Sequence, residues 1–84
     1  MALVTVYTKP YCPYCSRALA LLKQKSVEIN EIEAASDMAL RQEMIQKSGR
    51  STYPQIFIGD RHVGGCDDLM ALDRSGGLDP LLSA

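Results

Sequence analysis

Cys12-Pro13-Tyr14-Cys15 places two thiols two residues apart, directly behind the run Leu3-Val4-Thr5-Val6-Tyr7-Thr8. A dithiol at this spacing, opening a helix, can exchange electrons with another disulfide. The first thiol is expected to be an exposed nucleophile, and the second resolves the mixed disulfide that forms on it. Pro13 suits the first position of a helix, because its missing N–H would have no partner there. Cys12 is then the N-cap. Its sulfur stands where a serine oxygen would accept from the N–H groups of Tyr14 and Cys15. Those unpaired donors and the helix dipole favour a thiolate at this position, and Lys9 adds positive charge nearby. Cys15 shares one helix face with Ala18, Leu19 and Leu22, at i, i+3, i+4 and i+7. It should point into the core and stay protonated until a mixed disulfide forms at Cys12. A structural zinc site would need two further ligands. The chain offers only His62 and Cys66, which are not spaced as a second ligand pair.

The surrounding pattern supplies the elements that must position this pair. Residues 3–8 are β-branched and apolar, as in a buried strand. Lys9-Pro10-Tyr11 is a loop, and the first helix follows. Alternation in Val27-Glu28-Ile29-Asn30 predicts a second strand over about residues 26–33. Ser36 or Asp37 can cap a second helix running to about Ser48, with Met38, Leu40, Met44 and Ile45 as its apolar members and Gly49 closing it. Gln55–Ile58 reads as a third strand. Gly59-Asp60 turns the chain, and Arg61-His62-Val63 returns as a short fourth strand. Gly64-Gly65 breaks it. A third helix is expected from about Cys66 to Ser75, with Leu69 and Leu72 inward, ended by Gly76-Gly77. Leu78–Leu82 adds a final turn. The order is βαβαββα. Strands joined by a helix should be parallel, and the last two should form an antiparallel hairpin. The expected fold is therefore α/β, a four-stranded mixed sheet with helices on both faces.

Bulk properties narrow the function. At 84 residues the chain is read as a single domain, residues 1–84. Hydrophobic residues make up 46% and charged residues 23%, the balance of a globular protein and not of a disordered one. A net charge of −1 with no basic run argues against nucleic acid as the main partner. The N-terminus lacks the basic and long apolar regions of a signal peptide, and no apolar stretch approaches bilayer length. The expectation is a soluble cytoplasmic protein, a monomer with no membrane association. The 3 cysteines, an odd number, cannot form a closed framework, so in a reducing compartment the close pair reads as catalytic.

With its elements placed, the chain resembles a glutaredoxin of the short dithiol bacterial type over nearly its whole length. The resemblance rests on three stretches in order. They are Thr8-Lys9 before Cys12–Cys15, Ser48–Thr52 leading into Pro54–Ile58, and Gly64-Gly65-Cys66-Asp67-Asp68-Leu69. It implies a thioredoxin fold, Cys12 and Cys15 as the catalytic pair, and glutathione as reducing co-substrate, with no tightly bound cofactor and no metal. It further implies a cis Pro54 facing the cysteines, leaving the Tyr53 backbone free to pair with a peptide-like substrate.

Glutathione has an anionic glycyl end and a zwitterionic γ-glutamyl end. Gly64-Gly65 lets a ligand approach the free N–H groups of the third helix, which suit a carboxylate. By family position, the backbone of Cys66 and the side chain of Asp67 take the γ-glutamyl end. Lys9 and Arg41 match positions that meet the glycyl carboxylate. Tyr14, Thr52, Tyr53, Pro54 and Gly65 complete the implied contacts. Cys66 reads as a small residue beside the ligand rather than a second nucleophile. His62 is expected on the solvent face of an edge strand, with no catalytic role.

One position departs from the family pattern: a small β-branched residue, commonly valine, usually precedes Pro54, and here it is Tyr53. Its ring is expected over the groove rim, partly exposed and close to Tyr14, where it would alter which disulfides are accepted. The implied substrates are disulfide-bonded or glutathionylated proteins, with ribonucleotide reductase one candidate. Two other functions fit parts of the pattern. One is a [2Fe–2S] cluster held between two protomers by the first cysteine and glutathione, which Pro13 disfavours by stiffening the loop. The other is a thioredoxin-like reductant served by a flavoprotein reductase, which would not need Lys9, Arg41 and Asp67.

Overall fold

A computed structural model of the chain describes residues 3–83. Met1, Ala2 and Ala84, which the single-domain reading includes, lie outside the described residues. The element order is β1 (Leu3–Thr8), α1 (Pro13–Gln24), β2 (Glu28–Glu33), α2 (Met38–Ser48), β3 (Gln55–Ile58), β4 (Arg61–Gly64), α3 (Cys66–Arg74) and α4 (Leu78–Leu82). β2 starts later than the alternation suggested, because Ser26 adopts a positive φ of 58° in the turn after α1. α3 stops at Arg74, one residue earlier than expected, with Ser75 as its C-cap.

The sheet order is β2-β1-β3-β4. β1 runs parallel to β2 and antiparallel to β3, and β3 pairs antiparallel with β4. The two central strands carry the residues buried from both sides. Val4 and Val6 of β1, with Ile56 and Ile58 of β3, pack against Ala18 and Leu22 of α1, Leu69 of α3, and Leu78 and Leu82 of α4. Fully burying one such side chain contributes roughly 1.5–3 kcal/mol, so this layer carries most of the stability.

The opposite face is thinner. Tyr7, Ala34, Met44 and Phe57 form its core, with Leu40, Ile45 and Tyr53 packed around them. The rings of Tyr7 and Phe57 meet edge to face at 5.8 Å. Met44 is the only fully buried residue described in α2. Met38, expected on the apolar side of that helix, is 81% exposed. It is the first residue of α2, beyond the edge of this layer. Asp37 caps the helix, accepting from the N–H groups of Ala39 and Leu40 at 2.9 and 3.2 Å.

Candidate active site

β1 ends at Thr8, and the loop 9–11 delivers the chain to α1. Cys12 has extended backbone angles and caps the helix, with Pro13 next. The Cys15 N–H donates to the Cys12 sulfur at 3.2 Å. Two expectations change here. The cap is made by Cys15 alone among the described hydrogen bonds, without Tyr14. Cys12 is also not an exposed thiol, since the residue is only 6% accessible. Folding its sulfur over the helix start to take an N–H is what covers it.

Cys15 lies on the buried face of α1, as its phase required, and is 3% accessible. Burial pushes its thiol up to about 12, helped by a hydrogen bond with Cys12, while the neighbouring Lys9 opposes the shift. The site thus holds one sulfur at a helix N-terminus and a second kept protonated beneath it. All three cysteines are free.

A groove of about 210 Å³ opens beside Tyr14. One wall is the segment Thr52-Tyr53-Pro54, with a cis Tyr53–Pro54 peptide. The other is the start of α3, Gly65 to Asp68. The N–H groups of Cys66 and Asp67, at the first turn of that helix, have no intrahelical acceptor. The N–H of Gly65, just before the helix, donates to Asp68 Oδ2 at 2.9 Å. Arg50 joins the same oxygen at 3.0 Å and ties the two walls together. The Gly65 N–H and the Arg50 guanidinium together hold the Asp68 carboxyl below the usual carboxylate range. Gly64 must be glycine for this wall to form. It has φ 121°, and a Cβ there would collide with the Asp68 side chain. A second cavity of about 230 Å³, among Thr5, Tyr7, Lys47, Phe57, Gly59 and Asp60, lies on the other face of the sheet and is lined by no cysteine.

The glutaredoxin family model matches residues 4–63. The chain is 60% identical to Glutaredoxin 3 of Escherichia coli strain K12, over 98% of this chain and 99% of that protein. It is 54% identical to a glutaredoxin of Pseudomonas aeruginosa, over 96% of each. The chain belongs to the glutaredoxin family. Among solved structures it superposes on Brucella melitensis glutaredoxin with a TM-score of 0.85 at 60% identity, covering 98% of this chain and 89% of that one. The complex of buckwheat glutaredoxin with glutathione matches with a TM-score of 0.87 at 36% identity, covering 98% of this chain and 77% of that one. As a glutaredoxin with the thioredoxin fold, the protein is a glutathione-dependent thiol–disulfide oxidoreductase.

This glutaredoxin brings most of the sequence-predicted residues to one groove. Tyr14, Thr52, Tyr53, Pro54, Gly65, Cys66 and Asp67 all line it. Lys9 and Arg41 are exposed and do not line it. Arg50 and Asp68 do line it. In the sequence both stand only as members of motif stretches. Their pairing spans 18 residues and leaves no local periodic signal.

Tyr53 lines the groove with Tyr14, as expected, but it does not simply lie over the rim. Its ring is half-buried and packs against the cluster of Tyr7, Ala34, Met44 and Phe57, with its hydroxyl buried and without a hydrogen-bond partner. The thin layer under α2 has room for a ring that a tighter core would exclude. His62 is half-buried as well, not on a solvent face. Its ring lies 4.9 Å from that of Phe57, and its Nε2 meets Gln55 Oε1 at 2.8 Å. Among the described residues no cluster of histidine, cysteine and carboxylate could hold a metal ion, and no helix is long and apolar enough to cross a membrane.

Proposed function

We propose that Cys12 and Cys15 carry the chemistry of this glutaredoxin, with glutathione seated in the groove between Thr52–Pro54 and the start of α3. The observation that supports this most is the Cys12 sulfur at the helix N-terminus above a protonated Cys15. With a protein disulfide, Cys12 attacks one sulfur and the other leaves as a thiolate that takes up a proton. Cys15 then loses its proton and attacks Cys12, releasing the second substrate sulfur and leaving a Cys12–Cys15 disulfide. Two glutathione molecules reduce that disulfide and leave as glutathione disulfide. With a glutathionylated substrate, Cys12 attacks the glutathione sulfur and the substrate sulfur leaves as a thiolate that takes up a proton. A second glutathione thiolate then attacks the glutathione sulfur on Cys12 and leaves with it as glutathione disulfide, freeing Cys12 without Cys15.

The groove matches the ends of this tripeptide. The free N–H groups at the start of α3 suit the γ-glutamyl carboxylate. Asp67, exposed at the same helix start, suits the ammonium group. Lys9 and Arg41 stand further out and serve the glycyl carboxylate by long-range attraction rather than as walls of the groove. The chain works in this reading as one monomeric domain in the reducing cytoplasm. Its substrates are disulfide-bonded or glutathionylated proteins, ribonucleotide reductase among the candidates. A reductant test decides it. The oxidised protein should be reduced by glutathione with its recycling system and not by a thioredoxin reductase. The reverse result would assign it to thioredoxin-like chemistry.

A further inference from the structure

Gln55 is fully buried, yet every polar group of its side chain is used. Its Nε2 donates to the Thr52 carbonyl at 3.0 Å and to Thr52 Oγ1 at 3.1 Å. Its Oε1 faces His62 Nε2 at 2.8 Å. The orientation of this amide is fixed by chemistry. A backbone carbonyl only accepts, so the NH₂ group must face Thr52 and the oxygen must face His62. The contact with His62 then requires a proton on His62 Nε2. The Thr52 hydroxyl already accepts from Gln55, so its own proton is left to point elsewhere, and Thr52 lines the groove.

We infer that Gln55 and His62 are positioning residues for the groove: they hold the turn before Pro54 and set the Thr52 hydroxyl as a hydrogen-bond donor to a carbonyl or carboxylate oxygen of the bound peptide. This rests on the proposed seating of glutathione and deepens it, because it gives Thr52 a defined polarity. Neither residue touches the ligand. His62 sits on the edge strand β4 and Gln55 in the central strand β3, so the relay carries support from the hairpin through the sheet to the groove wall. Burial first, then the Arg50 charge, disfavour the charged form of His62, while the Asp68 charge favours it. The relay works with the neutral ring, provided the proton is on Nε2.

His62 is the only histidine in the chain, so its ring is an unambiguous spectroscopic probe. Nitrogen–proton correlation spectra of the whole protein near neutral pH should show the Nε2–H tautomer. Gln55→Met removes the acceptor and should shift the Nε2–H proton signal and speed its exchange with water. Kinetics supply the second measurement. His62→Leu removes the donor and should raise KM for a glutathionylated peptide by about 3- to 10-fold, the scale of one hydrogen bond, with kcat little changed. His62→Gln restores an N–H donor and should return KM toward the parent value. Should Gln55→Met fail to fold, the His62 pair and the parent spectrum decide alone. An Nδ1–H tautomer in the parent, or His62→Leu and His62→Gln with the same KM as the parent, would overturn the inference. A parent protein that does not turn over with glutathione would overturn the proposed function itself.

Discussion

The backbone N–H of Cys15 donates to the sulfur of Cys12 at 3.2 Å. In the proposed mechanism, the residue that resolves the mixed disulfide therefore also holds the nucleophile in place, through its main chain. A side-chain substitution at position 15 leaves that hydrogen bond intact. Cys15→Ser should retain removal of glutathione from glutathionylated thiols and lose the reduction of protein disulfides that need both sulfurs. Cys12→Ser should lose both. Equal loss of both activities in a folded Cys15→Ser protein would show that the roles are assigned wrongly.

Tyr53 is predicted to be a packing residue with a wasted hydroxyl. Its oxygen is buried without a partner, which costs about 1–3 kcal/mol relative to a satisfied group. Tyr53→Phe should melt at the same temperature as the parent or higher. Tyr53→Val leaves a cavity beside Met44 and Phe57 and should lower the melting temperature. Calorimetry on the two variants checks this, and a Phe variant that melts well below the parent would mean the hydroxyl has a partner in solution.

Tyr7 links stability to alkaline pH. Its hydroxyl donates to Glu43 Oε2 at 2.7 Å, and burial first, then Glu43, pushes its pKa from 10.0 to about 12. The unfolded chain loses this proton near the ordinary value while the folded chain keeps it. The stability Tyr7 contributes is therefore full below pH 10.0 and is lost as pH rises toward about 12. Urea titrations across that window should show a decline in the parent that Tyr7→Phe flattens.

Asp68 has the opposite dependence. Its folded pKa is depressed by the Gly65 N–H and by Arg50. Its contribution is full above the ordinary value of 3.8 and lost as pH falls through the lower folded value. The Asp68 side chain is 46% exposed, so solvent screening keeps its ion pair with Arg50 well under about 1 kcal/mol. Asp68→Asn should flatten the acid limb while hardly changing stability at neutral pH. Its larger effect should be on the groove, as a higher KM for glutathione in steady-state assays. An unchanged KM would show that the brace does not shape the site.

Cys66 should be a bystander in the chemistry. Burial, then the Asp67 charge, push its thiol up. Cys66→Ser should keep most turnover. Mass spectrometry after brief alkylation of the native protein should find Cys12 modified well before Cys66. A large loss of turnover in the serine variant would give Cys66 a redox role.

The local parts of this protein were legible in its sequence. The Cys-x-x-Cys spacing, the proline behind the first cysteine, the phase that buries Cys15, the Asp37 cap and the strand alternations all act within a turn or two of chain. Residue type and spacing report such features directly. The order of the three motif stretches was enough to point to the family.

The tertiary structure decided what depends on residues far apart in sequence. It paired Arg50 with the Asp68 carboxylate across the groove, and it left Lys9 and Arg41 outside. It also placed the Tyr53 ring in the thin layer beneath α2, against a family-based expectation that assumed a tight core. His62 reaches Gln55 only because the β3–β4 hairpin sets the two side by side. Helix and strand periods describe one element at a time. A hydrogen bond or packing contact between elements depends on the distance and angle at which they meet, and those are set by how the whole core closes.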